Sequence, residues 1–319
     1  FRANLNCKQD KIGYGFIFGA NQANTIVDAL NHNYGIPSTY LSVGITILAG
    51  IVVLGGLRGI ARFSEVVVPF MGLAYVIVAV GITLINFSAV PAMLYDIITS
   101  ALGLQEAGAG AFGAAIKNGI QRGLFSNEAG SGSVPQAAAS ASPQPNHPAT
   151  QGYVQMLGVF LDTMVLCTST AVIILLADTG SSAGMEGIRL TQDAMEFHLG
   201  GFGSHFVTAA ITLFAFTSIV ANYVYAESNL HFFKLDNRAG RTVFTLSFLM
   251  MILWGSQATL KQIWAMADMA LGVMTVINVV AILLLTPTII AVSKDYTRRR
   301  EQNLPLDYKT GDCKIQGSS

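Results

Sequence analysis

Charged residues are scarce in this chain. Of its 319 residues, 11% are charged and 52% are hydrophobic, whereas soluble domains carry about 25% charged residues. So few charges cannot coat a globular surface of this size, and the formal net charge of zero gives no basis for binding nucleic acid. The composition therefore predicts an all-α polytopic membrane protein whose surroundings are the lipid bilayer.

Cysteine is also sparse. Cys7, Cys167 and Cys313 are widely spaced and form no metal or redox motif, so we interpret them as unpaired thiols. The five histidines lack the spacing of a metal site. Gly108–Gly113 reads GAGAFG, but no strand precedes it, and we attribute its likeness to a dinucleotide-binding motif to chance. The sequence thus predicts no cofactor.

Long apolar stretches dominate what remains. Eight of them approach the roughly 20 residues that a helix needs to cross a bilayer. They are Ile12–Leu30, Tyr40–Leu57, Val66–Phe87, Phe112–Ala141, Met156–Leu176, Phe206–Tyr225, Val243–Gly255 and Ile263–Ile290. Between them we expect a proline-rich loop at Ser142–Thr150 and a longer polar loop at Asp178–Gly203. Residues 1–302 are interpreted as one transmembrane domain, and 303–319 as a polar, disordered cytoplasmic tail.

Lysine and arginine gather in alternate loops. They form four basic clusters. One precedes the first segment, one lies between the second and third, one lies between the sixth and seventh, and one follows the last. They are Arg2, Lys8 and Lys11; Arg58 and Arg62; Lys234, Arg238 and Arg241; and Lys294, Arg298, Arg299 and Arg300. Arg189 and Lys261 are exceptions. Eight crossings put all four clusters on one side, and positive residues favour the cytoplasm, so both ends of this chain are expected there.

The fourth segment differs from the others. Arg122 to Ser140 reads RGLFSNEAGSGSVPQAAAS and contains Gly130, Gly132 and Pro135, all poor helix formers. Irregular backbone at membrane depth persists only when it is buried in protein or lines a cavity. Transporters use such breaks to hold substrates and ions. The segment therefore predicts a binding site near the membrane midplane, with a re-entrant or interfacial loop as the alternative.

Five stretches resemble the sodium:alanine symporters, also called the alanine or glycine:cation symporter family. In chain order they are FIFGANQANTIVDAL (Phe16–Leu30), GGLRGIARFSEVVVPFM (Gly55–Met71), RGLFSNEAGSGSVPQAAA (Arg122–Ala139), GVFLDTMVLCT (Gly158–Thr168) and LFAFTSIVANYVYAE (Leu213–Glu227). The resemblance implies a leucine-transporter-like fold, with two inverted five-helix repeats and one broken helix in each. This chain would supply core helices three to ten and lack the first two, so we expect it not to transport alone.

The resemblance implies symport of small neutral amino acids, alanine or glycine, with sodium as co-substrate, across the bacterial inner membrane. One alternative is a transporter of the same fold that carries another small solute or couples to protons. A second is a membrane-embedded enzyme that uses an acid pair drawn from Glu128, Asp162 and Asp268. No nucleophile and base accompany these acids in the sequence, so we predict that the protein is not an enzyme. No oligomeric state is predicted.

Candidate substrate-binding residues come from three segments. They are Gln22, Phe125, Ser126, Asn127, Gly130, Ser218 and Asn222. The resemblance matches Gln22, Ser218 and Asn222 to pocket positions, although a buried glutamine also serves as a hydrogen-bonding contact between helices. Ser218 and Asn222 are four residues apart and share a helix face. Many members of the family carry tryptophan in place of Asn222, which implies a roomier pocket here.

The remaining polar residues have less defined roles. Thr217 and Gly132 are candidates for sodium binding, since sodium prefers oxygen ligands. Glu128, Asp162 and Asp268 are acids at membrane depth, which mark ion pathways or paired networks. For Glu128 we favour a structural role in holding the unwound backbone.

Two further groups of residues are assigned to pairing and packing. Lys117 and Arg122 would line a wet vestibule or pair with an acid. Asn21, Asn24, Gly15 and Gly19 are assigned to contacts between helices.

Overall fold

Every regular element in the described part of the chain is a helix. The computed structural model describes residues 13–55, 57–102, 109–128, 130–177, 185–228, 230 and 237–308. The α-helices are α1 (Gly19–Tyr34), α2 (Ser38–Gly55), α3 (Leu57–Ile85), α4 (Val90–Ala101), α5 (Ala109–Asn127), α6 (Ser133–Ser140), α7 (Pro148–Leu161), α8 (Thr168–Leu175), α9 (Ile188–Leu199), α10 (Gly201–Ser228), α11 (Arg238–Gly255) and α12 (Leu260–Glu301). A π-helical turn, Gly13–Phe18, leads into α1, and another, Asp162–Cys167, joins α7 to α8. A short 3₁₀ turn, Phe87–Ala89, precedes α4. These elements confirm the all-α prediction.

The eight predicted segments all coincide with helices. Within the described residues, five helical stretches are long and apolar enough to cross a membrane: Ser38–Gly55, Ser64–Ile85, Pro148–Leu175, Gly201–Glu227 and Leu260–Glu301. The other three predicted segments correspond to α1, to the interrupted pair α5 and α6, and to α11, which are shorter or richer in polar residues. By length and composition, the chain is a multi-pass membrane protein.

The predicted polar loop at Asp178–Gly203 is wrong over half its length, because Ile188–Leu199 forms α9. The helix is stabilised by bonds to neighbouring helices that its own sequence does not show. The buried amide of Gln192 donates to the Ala29 carbonyl at 3.0 Å and to Thr208 Oγ1 at 2.7 Å. Arg189 pairs with Asp28 on α1. Residues 178–184 of the predicted loop lie outside the described part.

Residues 303–308 of the predicted tail form no helix, and the disorder expected for the tail stays a prediction. The Tyr308 amide donates to the Asn146 carbonyl at 2.8 Å, and Arg299 Nη1 donates to the Pro305 carbonyl at 3.1 Å. The first bond joins the tail to the proline-rich loop, and the second joins it to α12. The predicted loop is non-helical from Ser142 to His147, whereas its last residues, Pro148–Thr150, begin α7. Residues 309–319 lie outside the described part.

A buried histidine fastens that loop to the end of α12. The His147 side chain is fully buried, and its Nδ1 accepts a hydrogen bond from the Ala149 amide at the start of α7. Its Nε2 lies 3.5 Å from the Asp295 carboxylate, which also accepts from Arg298 at 2.5 Å and Arg299 at 2.8 Å. The buried acid is thus surrounded by positive and donor groups, as a buried charge requires. We refer to His147, Asp295, Arg298 and Arg299 as the loop clamp.

The main core packs α1 between α10, α11 and α12. Ile26, Ile219 and Phe248 are fully buried at its centre. The side chain of Asn24 donates to the carbonyls of Gly255 and Ala258, at 2.9 and 2.8 Å, and so joins α1 to the end of α11. The predicted contact between helices at Asn24 is confirmed.

Glycines allow the close approach of α1 to α11. A methyl group added at Gly19 would lie 3.0 Å from the Phe248 ring, and one at Gly15 would lie 3.1 Å from the Phe244 ring. The predicted packing role of these glycines is confirmed. The tightest point is at Gly255, where an added methyl would lie 2.4 Å from Cβ of Ala20 and 3.2 Å from its carbonyl oxygen.

We therefore expect Gly255→Ala to destabilise the protein by about 1–3 kcal/mol, because α1 and α11 must separate to admit the methyl group. The measurement is the melting temperature of the purified protein in detergent. Gly44→Ala is the matched control, since no atom lies within 4 Å of the added methyl and alanine is the better helix former. Equal melting temperatures for the two variants would contradict this packing.

Candidate functional site

The helix break predicted in the fourth segment is present. Helix α5 ends at Asn127 and α6 begins at Ser133. Between them, Glu128, Gly130 and Gly132 adopt positive φ angles of 49°, 94° and 105°. Glycine tolerates such angles, but a residue with a side chain pays on the order of 1–3 kcal/mol. The strain at Glu128 must be offset by contacts of the surrounding structure.

The polar backbone of the break is partnered by nearby side chains. The Glu128 carbonyl accepts hydrogen bonds from the Ser131 amide at 3.1 Å and the Ser131 hydroxyl at 2.6 Å. The Gly130 carbonyl accepts from Asn278 Nδ2 on α12 at 3.0 Å. Groups left unpaired at membrane depth are costly, so these bonds make an interrupted helix tolerable. Through Asn278, helix α12, which is distant in sequence, stabilises the backbone of the break.

A small cavity of about 200 Å³ opens beside the break. Its lining residues are Phe18, Gln22, Phe125, Ser126, Glu128, Ser218, Asn222 and Leu271. They come from the start of α1, the end of α5, the break, α10 and α12. The structure thus brings together five of the seven predicted substrate-binding residues, and adds the acid Glu128. A volume below the roughly 300–1,000 Å³ of drug-sized sites suits a small solute.

The polar groups facing the cavity are two amides, two hydroxyls and one carboxylate. Asn222 is buried, and Ser218 Oγ donates to the Phe214 carbonyl of its own helix at 3.0 Å. Within the described part of the chain, no residue forms a hydrogen bond with the Gln22 amide. The alternative role for Gln22, a hydrogen bond between helices, therefore has no described partner.

An aromatic and ionic cluster lies at the Phe125 side of the cavity. The ring of Phe125 packs on Phe18 and Trp264, with centroids 5.7 and 4.8 Å apart. One turn earlier on α5, the Arg122 guanidinium lies 4.4 Å from the Trp264 ring centre. Its Nη2 also donates to both carboxylate oxygens of Asp268, at 2.5 and 2.6 Å. The predicted pairing of Arg122 with an acid is confirmed, and Lys117 is exposed.

The enzyme alternative needed two free carboxylates close together. Asp268 is bound by Arg122, and Asp162 accepts a hydrogen bond from Ser126 at 2.6 Å. Each of these two acids thus has its own partner on α5.

Four predicted binding residues do not line the cavity. Asn127 donates to the Gly123 carbonyl at 2.9 Å and accepts from Thr163 Oγ1 at 2.7 Å, so its amide is directed toward the π-helical turn. Gly130 presents its carbonyl to Asn278 instead. The Thr217 hydroxyl donates to the Phe214 carbonyl at 2.8 Å, and Gly132 immediately precedes α6. Their substrate and cation roles stay predictions.

Two cavity residues were missed by the sequence analysis. Phe18 lies four residues before Gln22, so the helical period places both on one face. This spacing could have predicted that Phe18 lines the cavity. Leu271 is one apolar residue in a long apolar helix, and nothing local distinguishes it from its neighbours.

The comparison with known protein families agrees with these features. The model of the sodium:alanine symporter family matches residues 11–309. The chain belongs to this family. The matched residues include those of the break, the cavity and the aromatic cluster. These features therefore belong to a member of a transporter family.

Individual relatives extend this result. The chain is 41% identical over 295 residues to the uncharacterized transporter YaaJ of Escherichia coli (strain K12), covering 91% of this chain and 62% of the relative. It is 37% identical to the probable sodium/glutamine symporter GlnT of Bacillus subtilis (strain 168), covering 93% of this chain and 62% of the relative. It is 36% identical to the sodium/proton-dependent alanine carrier protein of Bacillus sp. (strain PS3), covering 93% and 70%. The chain thus spans less than two thirds of the length of the first two.

The bond from Asn278 to the break predicts a stability effect. Asn278→Ala leaves the Gly130 carbonyl without its donor, and we expect a loss of about 1–3 kcal/mol, seen as a lower melting temperature in detergent. Thr286→Ala on the same helix is the matched control, because the Thr286 hydroxyl only donates to the Ile282 carbonyl within α12. A melting temperature of Asn278→Ala no lower than that of the control would show that the break does not depend on α12.

Proposed function

We propose that the complete protein is a secondary symporter that carries small neutral amino acids, alanine foremost, into the cell together with sodium. The observation that carries this proposal is the cavity at the helix break, which gathers Gln22, Phe125, Ser126, Ser218 and Asn222 from separate helices. Family membership and the similarity to the sodium/proton-dependent alanine carrier protein of Bacillus sp. support the same substrate class.

The chemistry of the cavity suits a small zwitterion. Phe18, Phe125 and Leu271 offer apolar contacts for a short side chain, while the amides and hydroxyls offer hydrogen bonds to charged ends. The broken helix adds an N-terminal helix end and unwound carbonyls, which transporters use for anionic groups and cations respectively. Alternating access then requires the parts on either side of this fixed site to move.

Charge supports a cytoplasmic-membrane location with both ends of this chain inside. Arg238 and Arg241 lie at the start of α11, and Arg298, Arg299 and Arg300 occupy the last turn of α12. Basic residues of short flanking segments favour the cytoplasmic side. The relatives named above are bacterial proteins, which supports a bacterial inner membrane as the location.

A second candidate is symport of a larger neutral amino acid such as glutamine. Asn222 favours it, because a carboxamide at a position where many family members carry an indole leaves more room and adds a hydrogen-bonding partner. The relative named as a probable sodium/glutamine symporter supports the same candidate. Competition by alanine, glycine and glutamine against labelled alanine distinguishes the two.

The test of the proposed function is uptake by the complete protein in proteoliposomes. We expect labelled alanine to accumulate when an inward sodium gradient is imposed at fixed pH, and to fail to accumulate when potassium replaces sodium. Protein-free liposomes give the background. Uptake that is equal with and without sodium would contradict sodium coupling, and a dependence on a pH gradient alone would favour the proton-coupled alternative.

Gln22→Ala is expected to weaken alanine binding about tenfold or more, because a hydrogen bond to a charged group is lost. Equilibrium binding of labelled alanine to the purified complete protein measures this. Asn24→Ala, two residues along α1, provides the contrast, since its amide bonds the end of α11 rather than the cavity. Asn24→Ala should lower the melting temperature and leave alanine affinity unchanged. Unchanged alanine affinity in Gln22→Ala would remove Gln22 from the binding site.

A further inference from the structure

Two hydrogen-bonded pairs join the end of α5 to the π-helical turn Asp162–Cys167. Ser126 Oγ donates to Asp162 Oδ2 at 2.6 Å, and Thr163 Oγ1 donates to Asn127 Oδ1 at 2.7 Å. The pairs are consecutive on both elements, so they fix the register of the two backbones. π-helical turns occur often at functional sites. This one turns Asp162 toward the last residues before the break.

Asp162 lies at the middle of a membrane-crossing stretch. Pro148–Leu175 is one of the five described stretches that are long and apolar enough to span, and Asp162 follows its first 14 residues. A carboxylate at this depth is costly unless a positive charge neutralises it, and intramembrane acids usually serve an ion or proton.

Asp162 differs from several other aspartates, which form ion pairs. Asp28 pairs with Arg189, Asp268 with Arg122, and Asp295 with two arginines of the loop clamp. Asp193 lies 2.9 Å from Nε2 of His32. Among the described residues, no lysine, arginine or histidine lies within ion-pair distance of Asp162. Its described partners are the Ser126 hydroxyl and, at 4.0 Å, the Cys167 thiol. The positive charge that compensates Asp162 is thus not supplied by the described side chains.

We propose that Asp162 binds the cation that is transported with the amino acid, and that the Ser126 hydroxyl is a second oxygen ligand. Sodium is a hard cation that prefers oxygen, and a carboxylate beside a hydroxyl supplies it. The Asn127–Thr163 pair holds α5 against the turn and so keeps these two ligands together. This inference rests on the proposed function. It adds a site on the α7–α8 side of the break to the predicted candidates Thr217 and Gly132.

The position of Ser126 explains how the two solutes are coupled. The same side chain lines the cavity and donates to Asp162. A cation bound at Asp162 reorients this hydroxyl, because the oxygen lone pair must then face the ion. The conformation of Ser126 in the cavity consequently depends on the ion, and by reciprocity the solute alters cation affinity.

The test compares sodium dependence of alanine binding in four forms of the complete protein: wild type, Asp162→Asn, Asp162→Glu and Ser169→Ala. Ser169 is the matched control, because it lies two residues beyond the π-helical turn and its hydroxyl donates to the Val165 carbonyl at 2.6 Å rather than to Asp162. We expect Asp162→Asn to raise the sodium concentration for half-maximal alanine binding about tenfold or more. Asp162→Glu should retain sodium dependence with an altered sodium-to-lithium preference, and Ser169→Ala should match the wild type.

Direct binding of radioactive sodium without alanine separates the ion site from the amino-acid site. If Asp162→Asn binds one sodium ion fewer than the wild type at an unchanged melting temperature, the assignment is supported. If Asp162→Asn binds sodium with the stoichiometry and affinity of the wild type, the assignment is overturned. Should Asp162→Asn not fold, Asp162→Glu decides, because an unchanged sodium affinity and an unchanged sodium-to-lithium preference would overturn the assignment.

A pH series at fixed sodium covers the proton alternative. If Asp162→Asn removes a pH dependence of alanine binding and leaves sodium dependence intact, the site takes a proton and the sodium assignment is wrong. If alanine binding by the wild type is instead independent of sodium at every pH, the proposed function is contradicted. The failure of the inference and the failure of the function are therefore distinguishable.

Discussion

The structure depends on one constraint, which is that every backbone carbonyl and amide at membrane depth must find a partner. An unbroken helix meets it within itself, and the break between α5 and α6 does not. Ser131 and Asn278 supply the missing donors to the carbonyls of Glu128 and Gly130. Because those donors come from the break and from α12, the cavity beside the break exists only where the two are held together.

The last turn of α5 shows how one short segment serves several contacts. Arg122 reaches Asp268 on α12, Phe125 faces the cavity and Phe18, and Ser126 and Asn127 reach the π-helical turn. Successive residues of a helix point about 100° apart, so these four positions spread over roughly 200° of the circumference. The end of this helix is consequently fixed from three directions immediately before the chain loses regular structure.

The break could be predicted from the sequence, because Gly130, Gly132 and the polar residues of the fourth segment conflict with a plain membrane helix. The cavity positions Gln22, Ser218 and Asn222 were assigned from the family resemblance. Helix α9 was missed since Gln192 and Arg189 look like loop residues until their partners on α1 and α10 are known. The direction of the Asn127 amide was also not predictable. It is set by Thr163, and no sequence pattern signals the π-helical turn that brings Thr163 there.

Helix α12 holds both ends of the segment that contains α6. Asn278 binds Gly130 just before this half-helix, and Asp295 of the loop clamp binds His147 just after it. These two anchor points are 17 residues apart on one continuous helix, or about 25 Å along its axis. The half-helix is therefore attached to α12 at two places, one on each side of Pro287. A movement of α6 relative to α12 must therefore bend α12 at Pro287, carry α12 along, or break one of the two attachments.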